Sequence, residues 1–342
     1  MRKPFSAPPA RRLSAAFAMD AGLQHSLFDA RSLERLGAVA SLDTGTTITD
    51  FRAADPALLA SLEVLITGWG APAIGAAELQ LMPNLRAIIH AAGTVKGHLE
   101  SGVWDRGILV TTAAAANAYP VAEYTLAMIL LAGKGVLPIA REYRADPAID
   151  VVARHPGIGN YRRTVGIIGA SSVGRLVIDL LRPFDFEVLL YDPVIDDRDP
   201  LLAGVRRVQL DELFALASIV SVHAPLLPET RGMVGARQLA LLEPGATLIN
   251  TARAPLVDQA ALADAVATGR LHAVLDVTDP EPLPAGDRLR ALPQVLLTPH
   301  VAGALGNELL RLGESAVREV ELLAAGRPAA FPIRKADLAA RA

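Results

Sequence analysis

A short segment in the second half of the chain has the composition of a phosphate-binding turn. Residues 169–174 read Gly-Ala-Ser-Ser-Val-Gly, follow the apolar run TVGIIG and precede a stretch with helical periodicity. Gly169 would permit a tight turn, Gly174 would let the helix pack close to the strand, and the first amides of the helix would face an anion. About 18 residues beyond Gly174, the next apolar run ends at Asp192. This spacing predicts a dinucleotide-binding site.

The type of dinucleotide follows from Asp192. Its carboxylate would accept hydrogen bonds from the adenosine ribose and repel a 2'-phosphate, so the sequence favours NAD over NADP. The middle glycine of the usual pattern is replaced by Ser171, which would stand where the backbone should approach the phosphate and could also donate a hydrogen bond to it. We expect Ser171, Ser172 and Val173 to contact the cofactor, with weakened or slightly displaced binding. An ordinary strand–helix turn is the alternative.

The elements that must position this turn alternate between strands and helices. Beyond residue 163, short apolar runs are separated by helix-length segments, which predicts a doubly wound parallel sheet. These runs are TVGIIGA, EVLLYDP, IVSVHAP, ATLINTA, HAVLDV and VLLTPH. Between residue 13 and about residue 117, the runs LSAAFAM, VLIT, LRAIIHAAG and ILVTTA predict a second α/β layer with buried parallel strands.

Three further segments can be assigned from their composition. The apolar residues 121–137 predict a buried helix that begins at Pro120 and opens the second domain. Residues 144–163, which are polar and rich in proline and glycine, predict an irregular connection. Residues 307–325 predict a last helix that ends near Gly326.

The composition excludes several classes of chemistry. The chain has 342 residues, which suits two domains that each bury a core. A formal net charge of -3 gives no electrostatic footprint for nucleic acid and favours a small-molecule partner. The chain contains no cysteine, which excludes disulfides, a thiol nucleophile and thiolate-bound zinc or iron–sulfur centres.

The first residues, up to about residue 22, are basic and then apolar. The apolar stretch 13–19 is short and alanine-rich, and Asp20 follows it directly, so we interpret this region as a tail that leads into a strand rather than as a signal peptide. No segment reaches the roughly 20 apolar residues that a membrane span requires. We therefore expect a cytoplasmic protein without a membrane partner.

Several longer segments resemble the D-isomer-specific 2-hydroxyacid dehydrogenase family, which includes phosphoglycerate dehydrogenases and glyoxylate/hydroxypyruvate reductases. They are SVHAPLLPETRGMVG at 221–235, LINTARAPLVDQAALADAV at 248–266, LDVTDPEPLP at 275–284 and LLTPHVAG at 296–303. LRAIIHAAGTVKG and RGILVTTAAAANAYPVAEYTLAMIL match more loosely. The resemblance covers roughly residues 60 to 325.

The resemblance implies a catalytic group of three residues. Arg253 corresponds to the arginine that holds the substrate carboxylate and carbonyl oxygen, for which a planar guanidinium fork is suited. His300 corresponds to the acid/base, and an imidazole titrates near neutral pH. Glu281 corresponds to the carboxylate paired with that histidine. Taken singly, these residues could be a surface charge, a loop residue and a structural imidazole. Together they follow predicted parallel strands, at the edge where such sheets bind ligands.

The resemblance also implies the remaining contacts of cofactor and substrate. Asp276 corresponds to the residue that contacts the nicotinamide amide, and Thr251 lies in the matching segment on the cofactor side. His223 has either a cofactor-side or a packing role. The loop Gly93, Thr94 and Val95 resembles a carboxylate-binding turn whose amides would form an anion nest, with an ordinary turn as the alternative.

Some residues depart from the pattern of the family. Ala254 stands where glycine commonly follows the catalytic arginine, and Ser172 stands where an arginine often faces the phosphate. Lys96 could add a positive charge for a doubly anionic substrate or simply point to solvent. The departures at the cofactor turn put the affinity for NAD in question.

The motifs and the resemblance together predict an NAD-dependent enzyme that interconverts a 2-oxo acid and a D-2-hydroxy acid. We expect two Rossmann-like α/β domains: a discontinuous substrate-binding domain of residues 1–117 and 306–342, and an NAD-binding domain of residues 118–305. The helix 121–137 and the segment after it resemble the dimerisation region of the family, which implies a homodimer. An NAD-sensing protein like the corepressor relatives of the family is the alternative. Glu281 argues against formate dehydrogenases, which usually carry glutamine there.

Overall fold

The computed structural model describes residues 12–337. The predicted tail before the first strand falls largely on residues 1–11, which lie outside the described residues, as do residues 338–342. The chain divides into two compact units, the first formed by Met1–Asn117 and Ala304–Ala342 and the second by Ala118–Gly303.

The first unit contains a five-stranded parallel sheet with the strand order β2-β1-β3-β4-β5. Its strands are β1 (Leu13–Ala18), β2 (Ala40–Ser41), β3 (Val64–Thr67), β4 (Ala87–His90) and β5 (Leu109–Thr112). Its helices are α1 (Leu23–Leu27), α2 (Ala30–Val39), α3 (Pro56–Ser61), α4 (Ala76–Leu81), α5 (Gly102–Asp105) and, after the second unit, α14 (Leu309–Ala324).

Apolar side chains cover both faces of this sheet. On one face, Phe17 and Ile89 pack with Leu312 and Val317 of α14. On the other face, Leu65 packs with the buried side chains of α3, α4 and α5. Strands that are buried on both faces require continuous apolar runs, which is why the runs in the sequence predicted them.

The second unit contains a seven-stranded parallel sheet with the strand order β12-β11-β10-β9-β6-β7-β8. Its strands are β6 (Thr164–Ile168), β7 (Glu187–Tyr191), β8 (Val205–Arg207), β9 (Ile219–Val222), β10 (Thr247–Asn250), β11 (His272–Leu275) and β12 (Val295–Leu297). Its helices are α6 (Ala114–Gly133), which begins in the first unit, α7 (Val136–Ala145), α8 (Val151–Arg154), α9 (Ser172–Leu181), α10 (Leu210–Leu216), α11 (Ala236–Leu241), α12 (Gln259–Ala267) and α13 (Arg288–Ala291).

The order of this sheet reverses direction at β6, with β9 on one side and β7 on the other. Helices α10, α11 and α12 contribute Phe214, Leu239 and Leu262 to the core on one face. Helices α6 and α9 contribute Ile129 and Val177 to the core on the other face. Both sheets are thus covered by helices on two sides, and the predicted doubly wound α/β fold is confirmed.

The prediction for the helix 121–137 is wrong at both ends. Helix α6 begins at Ala114, so Pro120 lies inside it rather than at its first position. The helix ends at Gly133, and α7 begins after Gly135, which has a φ of 59°. A left-handed backbone at Gly135 breaks the helix because this conformation cannot continue an α-helix. Apolar residues on both sides of the break conceal it in the hydropathy pattern.

The connection 144–163 contains more structure than predicted, since it includes the end of α7 and the short α8. The last helix, α14, ends at Ala324, and Gly326 has a φ of 63°, as predicted for a helix stop. Two short edge strands, β2 and β8, were not anticipated. Among residues 12–337 no single helix is long and apolar enough to cross a membrane. Helices α6 and α7, which are bent by 53° relative to each other, together have the length and composition of a membrane span, and only these two properties mark them as one.

We expect Gly313→Ala to destabilise the protein. A Cβ at residue 313 would lie 1.7 Å from the carbonyl oxygen of Leu27, so α14 could no longer approach α1 as closely. A loss of about 1–3 kcal/mol in the free energy of unfolding is typical of such overpacking. Gly37→Ala is the matched control, because a Cβ within α2 would meet nothing within 4 Å and would add about 0.5–1 kcal/mol. Urea unfolding followed by circular dichroism measures both, and a Gly313→Ala protein as stable as the wild type would contradict the packing.

Candidate active site and cofactor site

Most of the residues that the sequence predicts to act on cofactor or substrate follow strands of the second sheet. Because the strands are parallel, their carboxyl ends lie at one edge, and the residues after them share that edge. Arg253 and His300 follow shortly after β10 and β12. The residues directly behind a strand are Gly169 after β6, Asp192 after β7, His223 after β9, Thr251 after β10 and Asp276 after β11.

The turn between β6 and α9 requires glycine at two positions. Gly169 has a φ of 96°, and a Cβ there would lie 2.8 Å from the backbone of Ala224. A Cβ on Gly174 would lie 2.0 Å from the carbonyl oxygen of Gly169. The close approach of β6, α9 and the end of β9 therefore depends on both glycines.

Ser171, which replaces a glycine of the usual pattern, is the N-cap of α9. Its backbone is extended, and its hydroxyl accepts a hydrogen bond from the amide of Gly174 at 3.3 Å. Ser172 is exposed and Val173 is half-buried at the first positions of the helix. The side chain of Ser171 is thus turned back toward the helix. The sequence did not reveal this, although serine is a favoured N-cap.

Asp192 is held at the end of β7 by three backbone amides. One carboxylate oxygen accepts from Ala170 at 2.7 Å, and the other accepts from Val194 and Ile195 at 2.9 Å each. The residue is 9 % exposed. A carboxylate offers about four acceptor positions, so one remains for a ribose hydroxyl.

The cation beside this turn is paired with a carboxylate. Arg175 forms a bidentate ion pair with Asp199, in which Nη1 and Nη2 donate to the two carboxylate oxygens at 3.0 and 2.5 Å. Nε of Arg175 donates to the carbonyl oxygen of Ala170 at 3.0 Å. This hydrogen bonding raises the pKa of Arg175 and lowers the pKa of Asp199. The glycine turn, the start of α9 and the fixed carboxylate of Asp192 fit a dinucleotide without a 2'-phosphate.

His223 lies beneath the turn and is 3 % exposed. Its Nε2 is 2.8 Å from the hydroxyl of Ser221, and its Cβ lies against Gly174. Burial lowers the pKa of His223 to about 3, so the ring is neutral at ordinary pH. These contacts favour the packing role, and a contact with the cofactor stays a prediction.

His300 and Glu281 form a hydrogen-bonded pair. Nδ1 of His300 is 2.8 Å from Oε1 of Glu281, and both side chains are about half exposed, at 50 % and 42 %. Because an ionised carboxylate can only accept, Nδ1 carries the proton and Nε2 is the free ring nitrogen of the neutral form. His300 has a φ of 56°, a left-handed backbone that is uncommon for residues other than glycine. Such strain is often found at functional sites.

Arg253 lies in the turn after β10 and is half-buried. Burial lowers the pKa of its guanidinium, and the nearby charge of Glu281 acts in the opposite direction. The side chain of Asn250 shapes the turn, because it donates to the carbonyl oxygen of Arg253 and accepts from the amide of Ala252, both at 3.0 Å. Thr251 is buried, and its hydroxyl is 3.1 Å from that of Thr125 in α6. The carboxylate of Glu281 thus pairs with His300 and also acts by its charge on Arg253.

Asp276 is 1 % exposed, and hydrogen bonds occupy both of its carboxylate oxygens. Oδ1 accepts from the amide of Val301 at 2.8 Å and from the hydroxyl of Thr298 at 2.6 Å, and Oδ2 accepts from the amide of Ala302 at 2.9 Å. The predicted contact with nicotinamide stays a prediction. Sequence reasoning missed Thr298, although its position two residues before His300 was a signal.

The predicted substrate loop lies in the first unit, after β4. Gly93 is half-buried and Thr94 is exposed, whereas Val95 is 3 % exposed and packs into the core. The Val95 side chain therefore belongs to the core of the first unit, and a substrate contact through the loop amides stays a prediction. The amide of Lys96 donates to the hydroxyl of Thr94 at 3.2 Å, which closes the turn, and the Lys96 side chain is exposed.

Comparison with known proteins agrees with the geometry of the second unit. Residues 126–302, just over half of the chain, match the NAD-binding domain of the D-isomer specific 2-hydroxyacid dehydrogenases. D-3-phosphoglycerate dehydrogenase of Mycobacterium tuberculosis is 34 % identical over 230 residues, which cover 65 % of this chain but only 42 % of that protein. Glyoxylate reductase of Korarchaeum cryptofilum is 35 % identical over 214 residues, which cover 61 % of this chain and 64 % of that protein.

Solved structures extend the likeness to nearly the whole chain. D-lactate dehydrogenase from Aquifex aeolicus, complexed with NAD and lactic acid, has a TM-score of 0.67 at 27 % identity and covers 91 % of this chain and 96 % of its own. A phosphoglycerate oxidoreductase from Rhizobium etli has a TM-score of 0.81 at 23 % identity, covers 95 % and 98 % of the two chains, and shows the fold alone. The resemblance found in the sequence is confirmed: the chain belongs to the D-isomer-specific 2-hydroxyacid dehydrogenase family.

Proposed function

We propose that this protein is an NAD-dependent dehydrogenase that interconverts a small 2-oxo acid and the corresponding D-2-hydroxy acid. The observation that carries the proposal is the hydrogen bond of 2.8 Å between His300 and Glu281, at the same sheet edge as the nucleotide turn. An imidazole held by a carboxylate can give a proton to a carbonyl oxygen or take one from a hydroxyl. The family membership supports the same chemistry.

Each residue of the catalytic group has its own role in the reaction. NAD, when bound, supplies or accepts the hydride at its nicotinamide ring. In the reduction, Nε2 of protonated His300 gives its proton to the substrate oxygen, which becomes the hydroxyl. Glu281 holds Nδ1 and stabilises the positive charge of the ring by its own charge. Arg253 binds the carboxylate and the carbonyl oxygen with its planar fork, and its partial burial strengthens this interaction.

We assign the two roles to the two compact units. The second unit would bind NAD, since residues 126–302 match the NAD-binding domain of the family. The first unit would bind the substrate through the amides of the loop that contains Gly93 and Thr94. NAD is preferred over NADP, because Asp192 occupies the end of β7 and Asp199 neutralises Arg175, the cation beside the turn.

We expect His300→Ala to lower kcat with NADH and a 2-oxo acid by about 10² to 10⁴-fold, since general acid–base groups contribute that much. Glu281→Gln should lower it less, because glutamine can still accept a hydrogen bond from Nδ1 but carries no charge. Initial rates with a panel that includes glyoxylate, hydroxypyruvate and pyruvate measure both effects.

His25→Ala is the control for this experiment, because His25 is an exposed histidine of α1 in the first unit. A loss of less than about tenfold in His300→Ala would refute the acid/base role. A higher kcat/KM with NADPH than with NADH in the same assay would refute the role of Asp192. A wild-type protein that binds NADH but reduces no 2-oxo acid would support a nucleotide sensor instead.

We also propose that the protein forms a homodimer through the segment 136–161 of the second unit. This segment carries six exposed large apolar side chains, and such exposure marks an interaction surface. They are Val136, Leu137, Tyr143, Val152, Ile158 and Tyr161, of which Val152 is 80 % exposed. A second copy is the expected partner, because the corresponding region is the dimerisation region in the family that the sequence resembles.

The mass in solution tests this assembly. Size-exclusion chromatography with light scattering should give a dimer for the wild type and a monomer for the double variant Val152→Asp, Tyr161→Asp, because two buried charges would oppose association. Leu58→Asp, in α3 of the first unit, changes an exposed apolar residue outside the segment and should remain dimeric. A monomeric wild type, or a dimeric double variant, would contradict the proposal.

A further inference from the structure

Three side chains connect helix α6 to the turn that carries His300. The hydroxyl of Tyr124 lies 2.8 Å from that of Thr298, and Thr298 lies 2.6 Å from the carboxylate of Asp276. All three belong to the second unit, although Tyr124 precedes the other two by more than 150 residues in sequence. None of these contacts involves the hydrogen bond between His300 and Glu281.

The chemistry of the three side chains fixes which of them donates in each hydrogen bond. An ionised carboxylate only accepts, so Thr298 must donate its single hydroxyl proton to Asp276. The oxygen of Thr298 then accepts from Tyr124, whose phenol is the donor at the far end. Burial raises the pKa of Tyr124 and outweighs the hydrogen bond with Thr298, which acts in the opposite direction, while the charge of Asp276 adds to the increase. The phenol therefore stays protonated. Tyr124 thus strengthens the hydrogen bond that Thr298 gives to Asp276.

The carboxylate of Asp276, at the end of this row of hydrogen bonds, holds the backbone around His300. It accepts from the amides of Val301 and Ala302, and the carbonyl oxygen of Asp276 accepts from the amide of His300 at 2.9 Å. His300 itself is left-handed, a conformation that residues with a Cβ rarely adopt unless their surroundings impose it. The amides on both sides of the strained residue are therefore tied to one aspartate.

We propose that Tyr124 and Thr298 are positioning residues for His300 and act through Asp276. The inference rests on the proposed acid/base role of His300. With the hydroxyls of Tyr124 and Thr298 in place, the carboxylate of Asp276 keeps one orientation and the turn presents Nδ1 to Glu281. Without them, the turn relaxes toward ordinary backbone angles, and the pair between His300 and Glu281 is formed in a smaller fraction of molecules.

The variants that test this remove hydroxyls and little else. Tyr124→Phe removes the outer donor, and Thr298→Val removes the donor to Asp276. Thr298→Ser restores the hydroxyl and should recover most of the activity. Thr46→Val is the matched control, because the exposed hydroxyl of Thr46 in the first unit also donates to a carboxylate, that of Asp43 at 3.0 Å.

We expect a graded loss of kcat with NADH and a 2-oxo acid. Tyr124→Phe should lower it about twofold to tenfold, the effect of one neutral hydrogen bond, and Thr298→Val about tenfold to a hundredfold, because its bond goes to a charged group. The KM for the 2-oxo acid and the Kd for NADH, measured by fluorescence, should change less than about twofold in both variants, since a positioning residue acts on the chemical step.

A second readout does not depend on turnover. In protein with ¹⁵N-labelled histidine, the Nδ1–H signal of His300 is assigned from its absence in His300→Ala and is compared by NMR at one fixed pH. In Tyr124→Phe and Thr298→Val the proton signal should move upfield, because the hydrogen bond from Nδ1 to Glu281 is formed in a smaller fraction of molecules. Thr46→Val and Thr298→Ser should give the wild-type signal.

The possible results separate this inference from the proposed function. An active wild type whose kcat and Nδ1–H signal of His300 are unchanged in Tyr124→Phe and Thr298→Val would overturn the positioning role alone. Effects confined to KM or Kd would also overturn it, since they indicate a binding role. A wild type that reduces no 2-oxo acid would refute the proposed function, while the Nδ1–H signal of His300 would still report the state of the turn. If Thr298→Val does not fold, Tyr124→Phe and Thr298→Ser decide the question.

Discussion

Asp276 places a negative charge inside the second unit, and hydrogen bonds from the surrounding residues stabilise it. Burying a carboxylate without hydrogen-bond donors is costly, so the donors around Asp276 are held in place by it. Two of these donors are amides just after His300, and the third is the hydroxyl of Thr298 just before it. The need to satisfy one buried charge therefore shapes the segment 298–302 and supports the left-handed backbone of His300.

The other side of the site depends on a close backbone approach rather than on charge. Gly169 and Gly174 let α9 begin directly against β6 and the end of β9, and Ser171 caps that helix. The serine thus has a structural task that glycine could not perform. Asp192 links this turn to the segment after β7 through three amides, so the nucleotide turn and the ribose side of the site form one hydrogen-bonded unit.

The sequence predicted those features that depend on neighbouring residues or on motifs. Apolar runs located the strands of both sheets apart from the short edge strands β2 and β8, and the parallel arrangement placed Arg253 and His300 at one edge. Contacts between distant residues were out of reach, because nothing local marks Tyr124 as a partner of Thr298. The direction of the Val95 side chain and the position of Pro120 inside α6 were also hidden, since both depend on packing against other elements. In the sequence Ser171 shows only as a missing glycine, because its role as an N-cap depends on where α9 begins.

Hydride transfer between NAD and a 2-oxo acid, assisted by His300, Glu281 and Arg253, is the proposed reaction. The most direct measurement uses NADH with deuterium at both C4 positions, incubated with the wild-type protein and 2-oxo acids, and determines the deuterium content and configuration of the product by mass spectrometry and chiral chromatography. We expect a D-2-hydroxy acid with one deuterium at C2. A protein that binds NADH but yields no labelled 2-hydroxy acid, or yields the L-isomer, would contradict it.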